Sequence, residues 1–259
     1  MSWEDVLPQG PATDIDRSVG EGLHLEALYP GVADLGGDAG NIFYLSACLP
    51  GATLHQTHLG ARPYFMDHTP DFVFLGNMDG QNQERVAREL APCRERIAEL
   101  ADAGVPMLFS GAAAEILGEH IELDHGRSFD GLAIFPFQTK MHPISERIND
   151  LFAGEADGIE ILGWKSQFTE SFGDNSHDFF AEGARGCGIN LGTSLEGFRR
   201  GGLMATWLLG PFLVANPAYA KHLIATMGVA HPRLAFEKMV QAAFDRRIEE
   251  MRDTSRIAD

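Results

Sequence analysis

The residues that could carry out chemistry in this sequence are few, and each stands in a setting that argues against it. Ser110 lies where a buried-strand pattern, Val105 to Phe109, gives way directly to a helical run, Ala112 to Leu117. Such a turn lifts one side chain above the carboxyl end of a sheet, and a serine there is a legitimate acyl-transfer nucleophile. Tight turns of this kind want small residues two places away, yet Leu108 precedes Ser110 by two and Phe109 precedes Gly111 by two. Ser110 is therefore expected to cap the following helix. Cys187, between Gly186 and Gly188, precedes a strand pattern instead of opening a helix, so nothing lowers its thiol pKa and it reads as a buried or turn thiol. His120, His125, His142 and His177 are potential bases or ligands, but none stands in a spacing such as H-E-x-x-H, and surface or turn positions are expected for them. Cys48, Cys93 and Cys187 form neither a CxxC pair nor a mixed zinc-ligand cluster. Reduced thiols, no metal and no cofactor are the expectation.

The elements that would position these groups alternate between strand and helix patterns. Leu23 to Tyr29 alternates apolar and polar residues like a strand, Pro30 to Gly40 is a Gly- and Asp-rich loop, and Asn41 to Cys48 reads as a helix capped from within Asp38 to Asn41. Phe72 to Leu75 is a short apolar run typical of a buried parallel strand, and it stops at Gly76. Gln83 to Ala103 places Val86, Leu90, Ile97 and Leu100 at helical spacing, with Pro92 as a split point and Gly104 as the stop. Strands are expected over Gly131 to Phe137, Gly158 to Leu162, Cys187 to Leu191 and Leu203 to Leu208, and a helix over Asn216 to Met227. Pro232 to Arg252 gathers Leu234, Met239, Val240, Ala243, Phe244, Ile248 and Met251 near one stripe, an amphipathic terminal helix that is either a brace or a partner surface. The pattern predicts an α/β fold: a three-layer, mostly parallel sheet with helices on both faces and ligands at the strands' carboxyl ends. It divides into a tail or strap over 1–22, one domain over 23–228 and an extension over 229–259.

Bulk properties exclude several functions. The net charge of −17 repels phosphate backbones and anionic lipid headgroups, which removes nucleic acid from the expected partners. No apolar run is long enough for a signal peptide or for the ~20 residues that span a bilayer. A cytoplasmic location without membrane insertion is expected.

Read in order, Leu28-Tyr29-Pro30, Gly37-Asp38-Ala39-Gly40-Asn41, Asp71 to Gly76, Gly104 to Gly118, and Gly210-Pro211 with Asn216-Pro217 form a series. It resembles the cobyric-acid-synthase-like branch of class I glutamine amidotransferases, most closely the glutamine amidotransferase subunit of lipid II isoglutaminyl synthase, over roughly Leu23 to Met227. The most specific piece is Tyr29 to Asn41, which is similar to that subunit's tyrosine-proline and Gly-Asp-x-Gly-Asn signature. The resemblance implies the fold already read from the pattern and would make it flavodoxin-like. It also implies glutamine hydrolysis by a cysteine on a strand-to-helix turn, a histidine base from a later strand, an oxyanion hole of backbone N–H groups, and transfer of ammonia to a Mur-ligase-like synthetase partner in peptidoglycan precursor amidation.

Carried over residue by residue, the resemblance places Gly111 at the cysteine position and Leu209, just before Gly210-Pro211, at the histidine position. Neither can attack a carbonyl or take a proton. The family's glycine triplet with Gln-Asp stands here as Gly76-Asn77-Met78-Asp79-Gly80, and Gln167 falls near a stretch that carries another histidine in relatives. Gln83 matches a glutamine common in the family's loop, though it equally begins the helix after Asn82. The expected pocket comprises Gly76, Asn77, Ser110, Gly111 and Ala112, with no catalytic residues. The resulting expectation is a pseudo-glutaminase subunit that binds a Mur-ligase-like partner. The alternatives are an active amidotransferase or hydrolase with a non-standard nucleophile, and a small-molecule sensor.

Overall fold

The computed structural model describes residues 15–252. Residues 15–22 form turns that lay Ile15 and Val19 against the core, while the remainder of the expected N-terminal strap lies outside the described residues. The chain then builds β1 (His24–Leu28), α1 (Gly40–Cys48), β2 (Thr53–Thr57), β3 (Phe72–Leu75), α2 (Gly80–Leu90), α3 (Arg94–Asp102), β4 (Met107–Ser110) and α4 (Ala112–Ile116). A short 3-10 turn containing Pro92 separates α2 from α3, because proline lacks the N–H that a continuous helix needs. Gly104, at φ 81, closes α3 in a conformation that favours glycine.

Eight strands follow: β5 (His120–Glu122), β6 (Ser128–Asp130), β7 (Phe137–Met141), β8 (Ile148–Ala156), β9 (Ile159–Gln167), β10 (Thr169–Gly173), β11 (Ala181–Arg185) and β12 (Leu195–Glu196). The chain ends with β13 (Phe198–Arg200), β14 (Leu203–Thr206), α5 (Phe212–Ala215), α6 (Pro217–Thr226) and α7 (Glu237–Arg252).

The central sheet has the order β13-β14-β4-β3-β1-β2, parallel except for β13. Its central strands β3, β4 and β14 are buried on both faces, as strands covered by helices on each side must be. Phe72, Phe74, Leu108 and Met204 join one core with α1, α5 and α6, whereas Val73, Leu75, Met107, Phe109, Leu203 and Ala205 join the other with α2 and α3. The chain is thus a three-layer α/β fold of mostly parallel strands. Two smaller sheets, β10-β7-β5-β6 and β12-β11-β8-β9, are inserted between α4 and β13.

Three expected segments differ. Gly131 to Phe137 is not a strand: the N–H groups of Leu132, Ala133 and Ile134 donate to Ile116, Gly118 and Leu117, which pins a loop against the end of α4 while Leu132 and Phe135 fill the core. Cys187 to Leu191 is also irregular, because its backbone bonds go to the Asp150 carboxylate, Thr193 and Leu195 instead of a ladder. The strand expected to reach Leu208 ends at Thr206, where the Trp207 N–H turns to the Glu196 carboxylate. The terminal helix begins at Glu237, five residues later than expected; it buries Phe244 and Ile248 against Leu162 and Ala215 but leaves Met239 71% exposed.

Candidate functional site

The carboxyl ends of β3, β4 and β14 meet at one place, where a parallel α/β sheet ordinarily binds its ligands. β4 ends in Ser110, and the chain reverses into α4 through Gly111 at φ 60 and ψ −129. This positive φ suits glycine and strains any other residue. The Gly111 N–H donates to the Thr206 carbonyl at the end of β14, 2.8 Å away, so the turn is locked to the neighbouring strand.

Asn77, in the loop after β3, occupies the space beside this turn. A Cβ on Gly111 would lie 2.4 Å from Asn77 Oδ1. That same oxygen accepts the Ala112 N–H at 2.9 Å, so the first amide of α4 is already engaged. Asn77 is held from behind by Asp38, whose Oδ2 accepts the Asn77 N–H at 2.7 Å and the Ser110 hydroxyl at 2.5 Å. Asn41 Nδ2 donates to the other Asp38 oxygen at 2.9 Å. Burial raises the Asp38 carboxyl above its usual range, against the lowering effect of the Ser110, Asn77 and Asn41 hydrogen bonds. This one acid joins the start of α1, the loop after β3 and the end of β4.

In front of Gly111 and Asn77 lies a cavity of about 280 Å³. Of the expected pocket residues, Asn77, Gly111 and Ala112 line it, and so does Leu209, which brings the two degenerate positions to one cavity. Gly76 and Ser110 do not. Gly76 packs behind the loop, where an added Cβ would meet the Ala33 carbonyl at 2.4 Å. Ser110 is wholly buried and gives its hydroxyl to Asp38, so it does not cap α4; Asn77 does. Gln167, at the end of β9, also lines the cavity.

The cavity contains residues that the sequence reading did not single out. Glu115 on α4 is 3% exposed and accepts hydrogen bonds from Gln83 Nε2 at 2.6 Å, Trp207 Nε1 at 3.3 Å and the Thr169 hydroxyl. Burial pushes its carboxyl above the usual range, and the Thr169, Gln83 and Trp207 hydrogen bonds oppose that shift. Gln83 lies inside α2 and also donates to the Ala112 carbonyl at 2.9 Å, tying α2 to the turn. A signal was available: Glu115 is the one charge in Ala112-Ala113-Ala114-Glu115-Ile116-Leu117, a run otherwise apolar enough to be interior.

The remaining candidates lie elsewhere. The buried Cys187 thiol is pushed up to about 11, chiefly by burial, and does not line the cavity. His120 Nδ1 meets the exposed Asp130 at 3.0 Å, and His142 Nε2 meets Glu170 at 2.7 Å. His125 lies outside the residues whose side chains are described. Among the described residues no group of three or more His, Cys, Asp or Glu side chains is arranged to hold a metal ion, and no helix is long and apolar enough to cross a membrane.

A turn between a parallel strand and a helix, facing a cavity at the sheet's carboxyl edge, is where α/β folds of several kinds place a binding or reactive site; the fold itself is glutamine amidotransferase-like. A solved crystal structure of a glutamine amidotransferase shares it, with a TM-score of 0.51 and 13% identity, covering 79% of this chain and 99% of that one. No protein-family model and no curated protein matches the sequence.

Proposed function

We propose that this chain is a catalytically silent relative of the glutamine amidotransferase subunit of lipid II isoglutaminyl synthase, a cytoplasmic pseudo-glutaminase that binds a Mur-ligase-like partner in peptidoglycan precursor amidation. The observation that carries the loss of chemistry is the placement of Asn77. Glutamine hydrolysis needs a nucleophile on the turn and free N–H donors for the tetrahedral oxyanion. Here the turn residue has no side chain, Asn77 fills the space a side chain would take, and its Oδ1 engages the Ala112 N–H. Leu209 supplies no base in the same cavity. The partner is supported by the ordered motifs from Tyr29-Pro30 to Asn216-Pro217 and by a fold retained without its reactive groups.

A hydrolase with a substitute nucleophile finds less support. Ser110 is buried with its hydroxyl committed to Asp38, and Cys187 is a buried thiol with a raised pKa. Two measurements test the proposal. Ammonia release from glutamine, by the chain alone and with its partner, is expected to stay at the uncatalysed rate; release abolished by Ser110→Ala or Cys187→Ala would establish the hydrolase instead. Affinity purification from the native host is expected to bring down a Mur-ligase-like synthetase, and a protein that purifies alone removes the partner from the proposal.

A further inference from the structure

The cavity beside Gly111 has a one-sided polar inventory. None of its lining residues is Lys, Arg or His, and its two charged members, Asp79 and Glu115, are both acids. Asp79 is committed at the rim, capping α2 through the Gln81 and Asn82 N–H groups. Glu115 is wholly surrounded by neutral donors, and its two oxygens receive three hydrogen bonds without a counter-charge. Gln167 Oε1 is buried and has no hydrogen-bond partner among the described residues. Its Nε2 is fixed by the Thr169 carbonyl at 2.7 Å, which leaves the oxygen as the free end of the amide. Thr169 therefore stands between the two acceptors, holding Gln167 with its carbonyl and Glu115 with its hydroxyl.

A buried acceptor without a donor calls for a hydrogen-bond donor, and a buried carboxyl without a cation is compensated either by its own proton or by a positive charge; one group that both donates hydrogen bonds and carries positive charge would meet the two together. The rest of the lining is apolar and includes Trp207, Phe168, Met78 and Leu35. Arg147 stacks over Phe168 with its guanidinium 5.3 Å from the ring centroid and donates to Ser166, but it is exposed and lines a neighbouring hollow. It does not neutralise Glu115.

From these observations we infer that the cavity binds a small organic cation, an ammonium or guanidinium group on an apolar body, with the cationic head between Glu115 and Gln167. The inference rests on the reading of the site as non-catalytic and supplies its ligand class. Glutamine would fit this site poorly, because its carboxylate finds no cationic side chain in the lining. A cavity of about 280 Å³ suits a metabolite-sized molecule, since pockets for drug-sized ligands run from about 300 to 1,000 Å³.

Isothermal titration calorimetry of the full chain with three probes of similar size, benzylamine, benzyl alcohol and benzoate, tests it. Benzylamine is expected to bind saturably and at least tenfold more tightly than benzyl alcohol, and benzoate to give no binding. Glu115→Gln, which keeps the shape and removes the charge, is expected to weaken benzylamine at least tenfold, and Gln167→Leu several-fold. Should Glu115→Gln fail to fold, Gln167→Leu carries the same test. Benzoate binding as tightly as benzylamine, absence of any saturable benzylamine binding, or undiminished affinity in a folded variant would each overturn the inference. Ammonia release measured on the same samples separates the two readings: release from glutamine defeats the non-catalytic site, whereas no release and no amine binding defeats only the ligand class.

Discussion

Two buried glutamates flank Trp207 and are treated in opposite ways. Glu196 forms an ion pair with Lys165, and both side chains are fully buried. Its second oxygen accepts the Thr206 hydroxyl at 2.8 Å and the Trp207 N–H at 2.7 Å. Lys165 in turn donates to the Gly188 carbonyl, so this network is closed on itself. Glu115 takes the indole N–H of the same Trp207 but has no cation, and it faces a cavity instead of packed protein. A buried ion must be compensated by charge or by several hydrogen bonds. The Glu196 network meets that requirement internally, as a structural brace does. The Glu115 network meets it only in part, and what is lacking lies on the side where a ligand would enter.

The comparison first predicts a large effect at the closed network. Lys165→Met leaves Glu196 buried and unpaired and should destabilise the fold by about 3–5 kcal/mol in urea denaturation. The double variant Lys165→Met with Glu196→Leu should recover only part of that loss, because it removes the unpaired charge but leaves the Trp207 N–H, the Thr206 hydroxyl and the Gly188 carbonyl without these partners. A loss below about 1 kcal/mol for the single variant would show that water or rearrangement reaches this site, and the contrast between the two glutamates would collapse. The turn comes next. Gly111→Ala puts a Cβ against Asn77 at a φ of 60 and should cost about 1–3 kcal/mol. Adding Asn77→Gly relieves the clash, so the two changes together should cost less than the sum of the singles. Strict additivity would mean that Asn77 does not occupy the space beside the turn.

The difference between these regions also explains what could be read from the sequence. The central strands were legible at Phe72 to Leu75 and Val105 to Phe109 because a strand covered on both faces is continuously apolar, and Pro92 and Gly104 punctuate helices by rules local to the chain. Leu132 and Phe135 misled for a related reason: apolar side chains are needed in the core whether a strand or a pinned loop delivers them. Placing Gly111 and Leu209 depended on motif order, and the structure sets both at one cavity. Neither glutamate could be given its role. The partners of Glu115 come from residues 83, 169 and 207, and Lys165 lies 31 residues from Glu196, distances over which the sequence carries no periodic signal. Ser110 failed as an expected cap because its partner, Asp38, is 72 residues away.

The open network predicts a smaller effect with a particular pH dependence. Burial raises the Glu115 carboxyl above its ordinary value of 4.5, so the folded state binds the proton more tightly than the unfolded chain does. Stability associated with that proton is present below pH 4.5 and is lost as pH rises through the raised folded value. Glu115→Gln carries no titrating group at this position. Its stability relative to the parent should therefore increase with pH across that window, in denaturation curves taken at a series of pH values. The difference between variant and parent cancels the other raised acids, Glu26, Asp38 and Asp178. A relative stability that falls as pH rises would mean that Glu115 is held as a satisfied carboxylate, which removes the asymmetry.

The smallest effect on stability is expected at Gln167, where it is also the most discriminating. Gln167→Leu deletes one hydrogen bond, from Nε2 to the Thr169 carbonyl, and one buried acceptor that has no partner among the described residues. Losing the bond costs about 1 kcal/mol and removing an orphaned acceptor returns about the same, so the net change should fall within ~0.5 kcal/mol. A side chain kept for packing or for strand geometry would not behave so. If the variant instead loses ~2 kcal/mol or more, the amide belongs to the scaffold, and its unpaired oxygen ceases to mark a ligand's place. If stability is unchanged while amine binding weakens, the amide contributes to the cavity and not to the fold, which is the distinction drawn between Glu115 and Glu196 at the scale of a single neutral group.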